Sequence, residues 1–391
     1  MKSKKTKALK ILFLSSLILM IVLVTGISGC KPGEVTEETT SAVTESAETA
    51  AETAGETGET AAEATAQEIN PDEITGNINI LSGLAISEKV QDARPMAIMV
   101  ENTPDARPQS GLISADVVFE VVDEYGITRF VSVYSSYDSD LVGPVRSARP
   151  YYAEIARSFD PIYVFWGTHP SFYIIIENLG LDYLSPLGDE TGASSITGNF
   201  VDPGKGEGAD AIRDTSRDIA YEHTAYVRVP RMREIAENQG YSLDGGQSPF
   251  HFKNDAPEEE RGDINNITID FSSSTYKVNF EYDSTTNTYL RNCGGSASTD
   301  RESGKQITVN NVIVLITDIR NSGNEQGHMI VRTTQEDQAF YFLDGKVIEG
   351  TWSRNSALDP FEFKDKDGKT TLFNIGQTWV AMISGIEQLE Y

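Results

Sequence analysis

Two arginines, Arg146 and Arg149, stand three residues apart directly before a predicted helix. We predict that helix over 151–158, because Pro150 fits a first helical turn, where its missing N–H has no partner to lose. The unpaired N–H groups and the dipole of a helix N-terminus favour anions. With Arg213 as a third cation, this corner of the chain predicts an anion-binding site.

Three further side chains are candidates for acid–base chemistry beside such a site: Glu101, Glu120 and His223. Carboxylates and imidazoles are the usual general acids and bases of enzymes. An enzyme would hold an anionic group with the arginines and move a proton with one of these three residues. A binding protein would use the same arginines without chemistry, and His223 would then be a structural hydrogen-bonding group.

The stretch 115–124 predicts a strand whose alternate residues share a face. Val117, Phe119 and Val121 form its apolar face, and the other face carries Glu120 and, at its end, Glu124. Two interpretations stay open for these carboxylates. They are solvated on a half-exposed strand, or they line a cleft at its carboxyl end, where open α/β sheets bind ligands. Arg129, on a second strand predicted over 128–134, would neutralise Glu124 or Glu120.

The N-terminus predicts export and membrane anchoring. A lysine-rich start precedes the apolar run 11–27, and Ile27-Ser28-Gly29-Cys30 closes it in the manner of a bacterial lipobox. We therefore predict a signal peptide over 1–29 and lipidation of Cys30, with an uncleaved membrane anchor as the alternative. Either arrangement places the protein at the extracytoplasmic face of the cell membrane. Residues 30–74, rich in Glu, Thr and Ala, predict a disordered acidic tether.

Composition and motifs argue against nucleic acid, an internal disulfide, a zinc site and a nucleotide cofactor. The net charge of −27 argues against nucleic acid. Lipidation of Cys30 would leave Cys293 with no disulfide partner, and the four histidines lack the spacing of a zinc site. No phosphate-binding or dinucleotide-binding glycine motif follows a predicted strand. We expect neither a metal nor a cofactor.

The remaining chain is long enough for two domains. Residues 75–245 mix short apolar strands with helices and predict an α/β domain, a mixed sheet with flanking helices. Its segment 189–208, rich in Gly and Ser, predicts a long surface loop, which is a candidate lid. Residues 246–391 predict a mostly antiparallel all-β domain, a sandwich or barrel, with an Asp344-Gly345 hairpin turn.

Two long runs resemble a known family. RPMAIMVENTPDARPQSGLISADVVFEVVDEYGITRF (94–130) and GPVRSARPYYAEIARSFDPIYVF (143–165) are similar to the YerB-like lipoproteins, a two-part domain-of-unknown-function family. Tyr221-Glu222-His223-Thr224 is similar to a histidine-bearing motif of that family. The resemblance extends from about residue 80 onward. It implies an extracytoplasmic lipoprotein with two family domains and supplies no established reaction.

These observations favour a membrane-anchored binding or assembly factor of the cell envelope that recognises an anionic group. Its partner would be an envelope polymer or an envelope protein, and the strand-rich domain could also dock a partner through a sheet edge. The alternative is a hydrolase acting on cell-wall glycan or phosphodiester.

Overall fold

A computed structural model describes residues 72–86, 93–136, 138–202 and 210–391. The predicted signal peptide, the lipidation site Cys30 and nearly all of the tether predicted over 30–74 lie outside these residues. Within the described ranges, no helix is long and apolar enough to cross a membrane.

The segment before residue 245 contains both strands and helices. Its strands are β1 Met96–Glu101, β2 Val117–Val122, β3 Thr128–Tyr134, β4 Ile162–Val164, β5 Asp182–Leu184, β6 Ala211–Arg213 and β7 Ala225–Val227. Its helices are α1 Pro150–Arg157, α2 Pro170–Asn178 and α3 Val229–Asn238. Helix α1 follows Arg149 as expected, which confirms the predicted helix to within one residue at each end.

The segment after residue 245 is almost entirely strands. They are β8 His251–Lys253, β9 Asn266–Asp270, β10 Lys277–Asp283, β11 Thr288–Cys293, β12 Ser296–Ala297, β13 Thr308–Val309, β14 Asn311–Ile316, β15 Ile319–Asn321, β16 Met329–Val331, β17 Gln335–Leu343, β18 Lys346–Arg354, β19 Glu362–Asp365, β20 Leu372–Asn374, β21 Thr378–Ile383 and β22 Leu389–Glu390. Short 3-10 helices cover Pro104–Ala106, Leu112–Ser114, Glu124–Gly126, Tyr221–His223, Glu258–Glu260, Ser274–Tyr276 and Ile386–Gln388. The Asp344-Gly345 turn between β17 and β18 is confirmed, with positive φ at both residues (53° and 66°) as a two-residue hairpin requires.

One mixed sheet of ten strands joins the two segments, in the order β19-β18-β17-β14-β21-β2-β3-β1-β4-β5. Strand β21 pairs in parallel with β14 on one side and with β2 on the other. Every residue of β21 is buried, and a strand that is buried on both faces belongs in the middle of a sheet.

The architecture therefore agrees with the coarse prediction, a mixed sheet followed by a strand-rich and mostly antiparallel region. The expected separate sandwich or barrel over 246–391 is wrong, because β14, β17, β18, β19 and β21 extend the sheet of the first segment. A boundary near residue 245 between independently folding domains stays a prediction. So does the lid over 189–208, part of which, 203–209, the structure does not describe.

Layers cover both faces of the large sheet. Helices α1 and α2 pack on one face, where Tyr152 and Ile176 join a core with Val117 and Phe119. A second sheet, β12-β11-β10-β9-β22 with β13 beside β11, packs on the other face. Helix α3 belongs to the same core as that second sheet. Because the second sheet covers this face, a side chain that points to it from β2, such as Glu120, is enclosed.

Candidate functional site

Three of the predicted residues meet at the carboxyl end of β1: Glu101, Arg146 and His223. The Oε2 atom of Glu101 lies 2.7 Å from His223 Nδ1 and 3.2 Å from Arg146 Nε. Glu101 is 1% exposed, so its carboxylate is held inside the protein with two cationic or polar partners. We call these three residues the Glu101 cluster.

Local structure brings each member into place. Glu101 is the last residue of β1. The backbone of Arg146 bridges the ends of two neighbouring strands, since its N–H donates to Met99 O and its carbonyl accepts from Trp166 N–H. His223 ends the 3-10 turn Tyr221–His223, far away in sequence.

The cluster leaves one nitrogen of His223 available. An ionised carboxylate only accepts hydrogen bonds, so Nδ1 carries the hydrogen of the contact with Glu101. No partner for His223 Nε2 is found among the described residues. A buried carboxylate thus orients the imidazole and leaves its outer nitrogen for a ligand or a proton.

Arg146 is the least tightly paired of the three predicted arginines. Its side chain is 22% exposed, against 11% for Arg149 and 10% for Arg213. Besides Glu101, its contacts are with Glu222, at 3.6 Å to the carboxylate and 3.5 Å to the carbonyl oxygen. The Glu222 side chain is 59% exposed, so an anionic ligand can take its place at the Arg146 guanidinium.

Arg213 lies next to the cluster with its charge already balanced. It binds Asp202 through two parallel hydrogen bonds of 3.0 and 2.9 Å. Its guanidinium lies between the rings of Trp166 and Tyr221, 4.4 and 4.1 Å from their centres, and donates to Tyr221 O. Arg213 therefore positions the Tyr221–His223 turn and is not free to bind an anion.

Arg149 belongs to a different group from Arg146. It binds Glu124 in a bidentate pair, with Nε to Oε1 at 2.5 Å and Nη2 to Oε2 at 2.8 Å. Arg129 lies 2.6 Å from Asp123 and 3.6 Å from Glu124, so its main partner is Asp123, which was not predicted, and Glu124 is a secondary one. Arg149 is therefore not part of an open anion-binding site, because a carboxylate just after β2, that of Glu124, already binds it.

Burial and charge act in opposite directions on the two acids of this second group. Burial raises the pKa of Asp123, but the positive charges of Arg129 and Arg149 outweigh it and lower that pKa. For Glu124 burial prevails over the hydrogen bond from Arg149, and its pKa is raised.

Glu120 points to the opposite face of the sheet from Asp123. The predicted alternation of the strand is confirmed, but neither interpretation of Glu120 holds, since it is 0% exposed. The second sheet covers this face, and the Glu120 carboxylate binds Arg291 at 2.8 Å, Thr128 at 2.8 Å and Trp379 at 3.1 Å. Glu120 is an enclosed structural carboxylate and no longer a strong candidate for catalysis.

Sequence reasoning missed Arg291, although one signal was present. In β11 the inward positions are Tyr289, Arg291 and Cys293, so a permanent cation occupies a core position of an alternating strand. Arginine is rarely buried without a carboxylate partner. Within the part of the chain that the structure describes, no three His, Cys, Asp or Glu side chains converge as metal ligands would.

Comparison with known proteins places the chain in a family. Residues 81–242 match the description "Protein of unknown function (DUF3048) N-terminal domain", and residues 267–380 match its C-terminal domain. The chain belongs to the DUF3048 family. The predicted resemblance to a two-part, YerB-like family is thereby confirmed.

One curated relative is "Putative lipoprotein YerB" of Bacillus subtilis (strain 168). It is 30% identical over 310 residues, which are 78% of this chain and 86% of the relative. The crystal structure of YerB protein from Bacillus subtilis has the same fold, with a TM-score of 0.67 and 28% identity over 80% of this chain and 98% of that chain. The name of the curated relative and the two family descriptions support a lipoprotein of unknown function, and none of them names a ligand.

Proposed function

We propose that this DUF3048 protein is a lipid-anchored, extracytoplasmic binding or assembly factor that recognises an anionic group of the cell envelope. Lipid on Cys30 would hold it at the membrane, and the acidic tether would carry the folded part away from the surface. The relative named as a lipoprotein supports the anchoring. The Glu101 cluster supports the binding.

The observation that carries the binding role is the double contact of Glu101. One buried carboxylate forms an ion pair with a guanidinium at 3.2 Å and a hydrogen bond with an imidazole at 2.7 Å, so both groups are positioned before a ligand arrives. Preorganised donors lose little entropy on binding. Arg146 offers charge to a phosphate or carboxylate, and His223 Nε2 offers a second donor when the ring is protonated.

Binding of inorganic phosphate tests this proposal. Phosphate should raise the melting temperature of the wild-type protein. Arg146→Ala should reduce that rise, because it removes the guanidinium of the Glu101 cluster. Arg146→Lys should restore it only in part, because lysine lacks the planar fork of arginine. Arg320→Ala is the matched control, since Arg320 is 59% exposed and remote in sequence from the cluster. Equal phosphate shifts in Arg146→Ala and Arg320→Ala would refute the binding role of Arg146.

A hydrolase is the second candidate, favoured by the orientation of His223 alone. An imidazole fixed at Nδ1 by a buried carboxylate can act at Nε2 as a general base for water. The substrate would be a phosphodiester or a wall glycan held by Arg146. With bis-(p-nitrophenyl) phosphate as probe, His223→Gln should abolish hydrolysis while phosphate still binds. If the wild type hydrolyses neither this probe nor purified wall glycan, the hydrolase is refuted and only the binding role remains.

A further inference from the structure

A cavity of about 280 Å³ opens beside the loop that follows β1. One wall is the loop that follows Glu101, and the other is the end of β11 with the turn into β12. The side chains that matter for its chemistry are Asn102, Arg107, Arg291, Cys293 and Ser298. Neither Arg146 nor His223 lines it.

Arg107 brings an unbalanced positive charge to this cavity. Its Nε and Nη2 donate to the side-chain and backbone oxygens of Asn102 at 3.0 and 2.9 Å, and its Nη1 donates to Thr275 O at 3.1 Å. The guanidinium also lies 5.1 Å from the centre of the Tyr276 ring. Among the described residues, no carboxylate lies within 4.0 Å of it.

This arrangement is unusual in so acidic a chain. The protein has 59 Asp and Glu residues against 32 Lys and Arg, yet Arg107 is fixed entirely by neutral oxygens. Three hydrogen bonds use three of the five guanidinium N–H groups, which leaves two donors and the whole charge for another partner. A rigid arginine without a counter-ion in a concave site points to an anionic ligand.

The facing wall supplies a second, neutral donor. Arg291 Nη2 is balanced by Glu120 at 2.8 Å, while its Nη1 donates to Ser298 Oγ at 2.5 Å. Because Ser298 Oγ accepts this bond, its own O–H is left to donate elsewhere. Arg291 thus orients the Ser298 hydroxyl as a hydrogen-bond donor and contributes little net charge of its own.

We propose that this cavity is a second ligand site, which binds a small oxyanion, a carboxylate or a phosphate, between Arg107 and the Ser298 hydroxyl. Its volume suits a small molecule or a single terminal group. The site does not depend on the Glu101 cluster, because the two share no side chain. The buried thiol of Cys293, on the cavity wall, would lie beside the ligand.

Calorimetric titration of the full-length protein with inorganic phosphate, and separately with acetate, tests the site. Arg107→Ala should weaken one binding event about tenfold or more, and Ser298→Ala about two- to tenfold, the ranges for charged and neutral hydrogen bonds. Arg146→Ala should leave this event unchanged and remove only the event at the Glu101 cluster. The surface variant Arg320→Ala should change neither. The acetate arm distinguishes a carboxylate site from a phosphate site.

The thiol of Cys293 reports where the ligand binds. Saturating phosphate or acetate should slow alkylation of Cys293 by iodoacetamide in the wild type and in Arg146→Ala, but not in Arg107→Ala. Cys293→Ser gives the background labelling. The proposal is wrong if neither anion binds above the signal of the Arg107→Ala variant, or if Arg107→Ala and Ser298→Ala both bind as tightly as the wild type. Ser298→Ala removes one hydroxyl, so it keeps the test decisive should Arg107→Ala fail to fold.

Discussion

Arg291 Nη2 lies 2.8 Å from Glu120 Oε2, and the two side chains are 2% and 0% exposed. This ion pair connects the small sheet with the middle of the large one, and the Trp379 ring lies 4.4 Å from the Arg291 guanidinium. Burial alone would lower the pKa of Arg291, but Glu120 outweighs it and raises that pKa. The pair is thus a charged contact between the two family-matched segments of the chain.

Removing one partner of this pair should be costly. Arg291→Met would strand the Glu120 carboxylate in the core and lower the free energy of unfolding by about 3–5 kcal/mol. The double variant Glu120→Gln/Arg291→Met should recover much of that loss, because no buried charge remains. Urea unfolding followed by tryptophan fluorescence measures both. A double variant less stable than Arg291→Met would contradict this explanation.

Arg149 should behave as a structural residue. Its bidentate pair with Glu124 has side chains that are 11% and 8% exposed, so Arg149→Ala should cost about 3–5 kcal/mol of unfolding free energy. Arg149→Lys should remain destabilised, because lysine cannot make the paired contact. Arg231→Ala, at a 40% exposed surface pair, is the control and should cost at most about 1 kcal/mol. If Arg149→Ala lowers the free energy of unfolding no more than Arg231→Ala does, Arg149 is not a structural residue.

His328 should make stability depend on pH. Burial, with the charges of Arg149 and His169 nearby, lowers its pKa from the usual 6.5, while the charge of Asp123 opposes the shift only in part. The unfolded chain therefore binds a proton more readily than the folded one. Stability is fully present above pH 6.5 and is lost as the pH falls from there through the lower pKa of the folded state.

Replacing His328 should flatten that dependence. Between pH 8 and pH 5, the unfolding free energy of His328→Gln should fall less steeply than that of the wild type. The measurement at pH 8, where the imidazole is neutral, gives the cost of lost packing and serves as the reference. Glu124 Oε1 lies 3.7 Å from His328 Nε2, so Glu124→Gln should steepen the wild-type slope by removing a stabilising anion. Identical slopes for wild type and His328→Gln would refute this role.

Anchoring should depend on Cys30. Cys30→Ala should leave an unlipidated precursor or release the protein from membranes, and it should abolish metabolic labelling with a radioactive fatty acid. Cys293→Ala is the matched control, because Cys293 is the other cysteine of the chain and should not affect labelling. Unchanged labelling of the Cys30→Ala protein would contradict lipidation at this residue.

Local pattern was enough to predict several elements. The start of α1 at Pro150, the alternation of β2 and the turn at Asp344-Gly345 follow from steric and periodic rules that act within a few residues. The members of the Glu101 cluster could be predicted only as separate candidate residues. Glu101, Arg146 and His223 are each plausible alone, and their meeting depends on sheet order.

Long-range pairing could not be predicted in the same way. Nothing near Glu120 indicates that the small sheet covers it, and nothing near Arg149 indicates that Glu124 lies opposite. Arg107 looks like an ordinary loop residue, since its significance comes from neutral acceptors in Asn102 and Thr275, the latter 168 residues away. The sharing of one sheet by two apparently separate segments has the same origin, because parallel strands leave no local signal of their partners.

The position of β21 in the large sheet has a consequence for biogenesis. Glu120 of β2 and Trp379 of β21 are hydrogen-bonded across 259 residues of chain. A polypeptide that leaves the ribosome or a translocation channel N-terminus first must therefore present β2 with one unpaired edge until β21 has emerged. Exposed strand edges are templates for aggregation, and such non-local pairing is slow. This sheet can therefore be completed only late in synthesis and export, and the free edge of β2 stays open to wrong pairing until β21 reaches it.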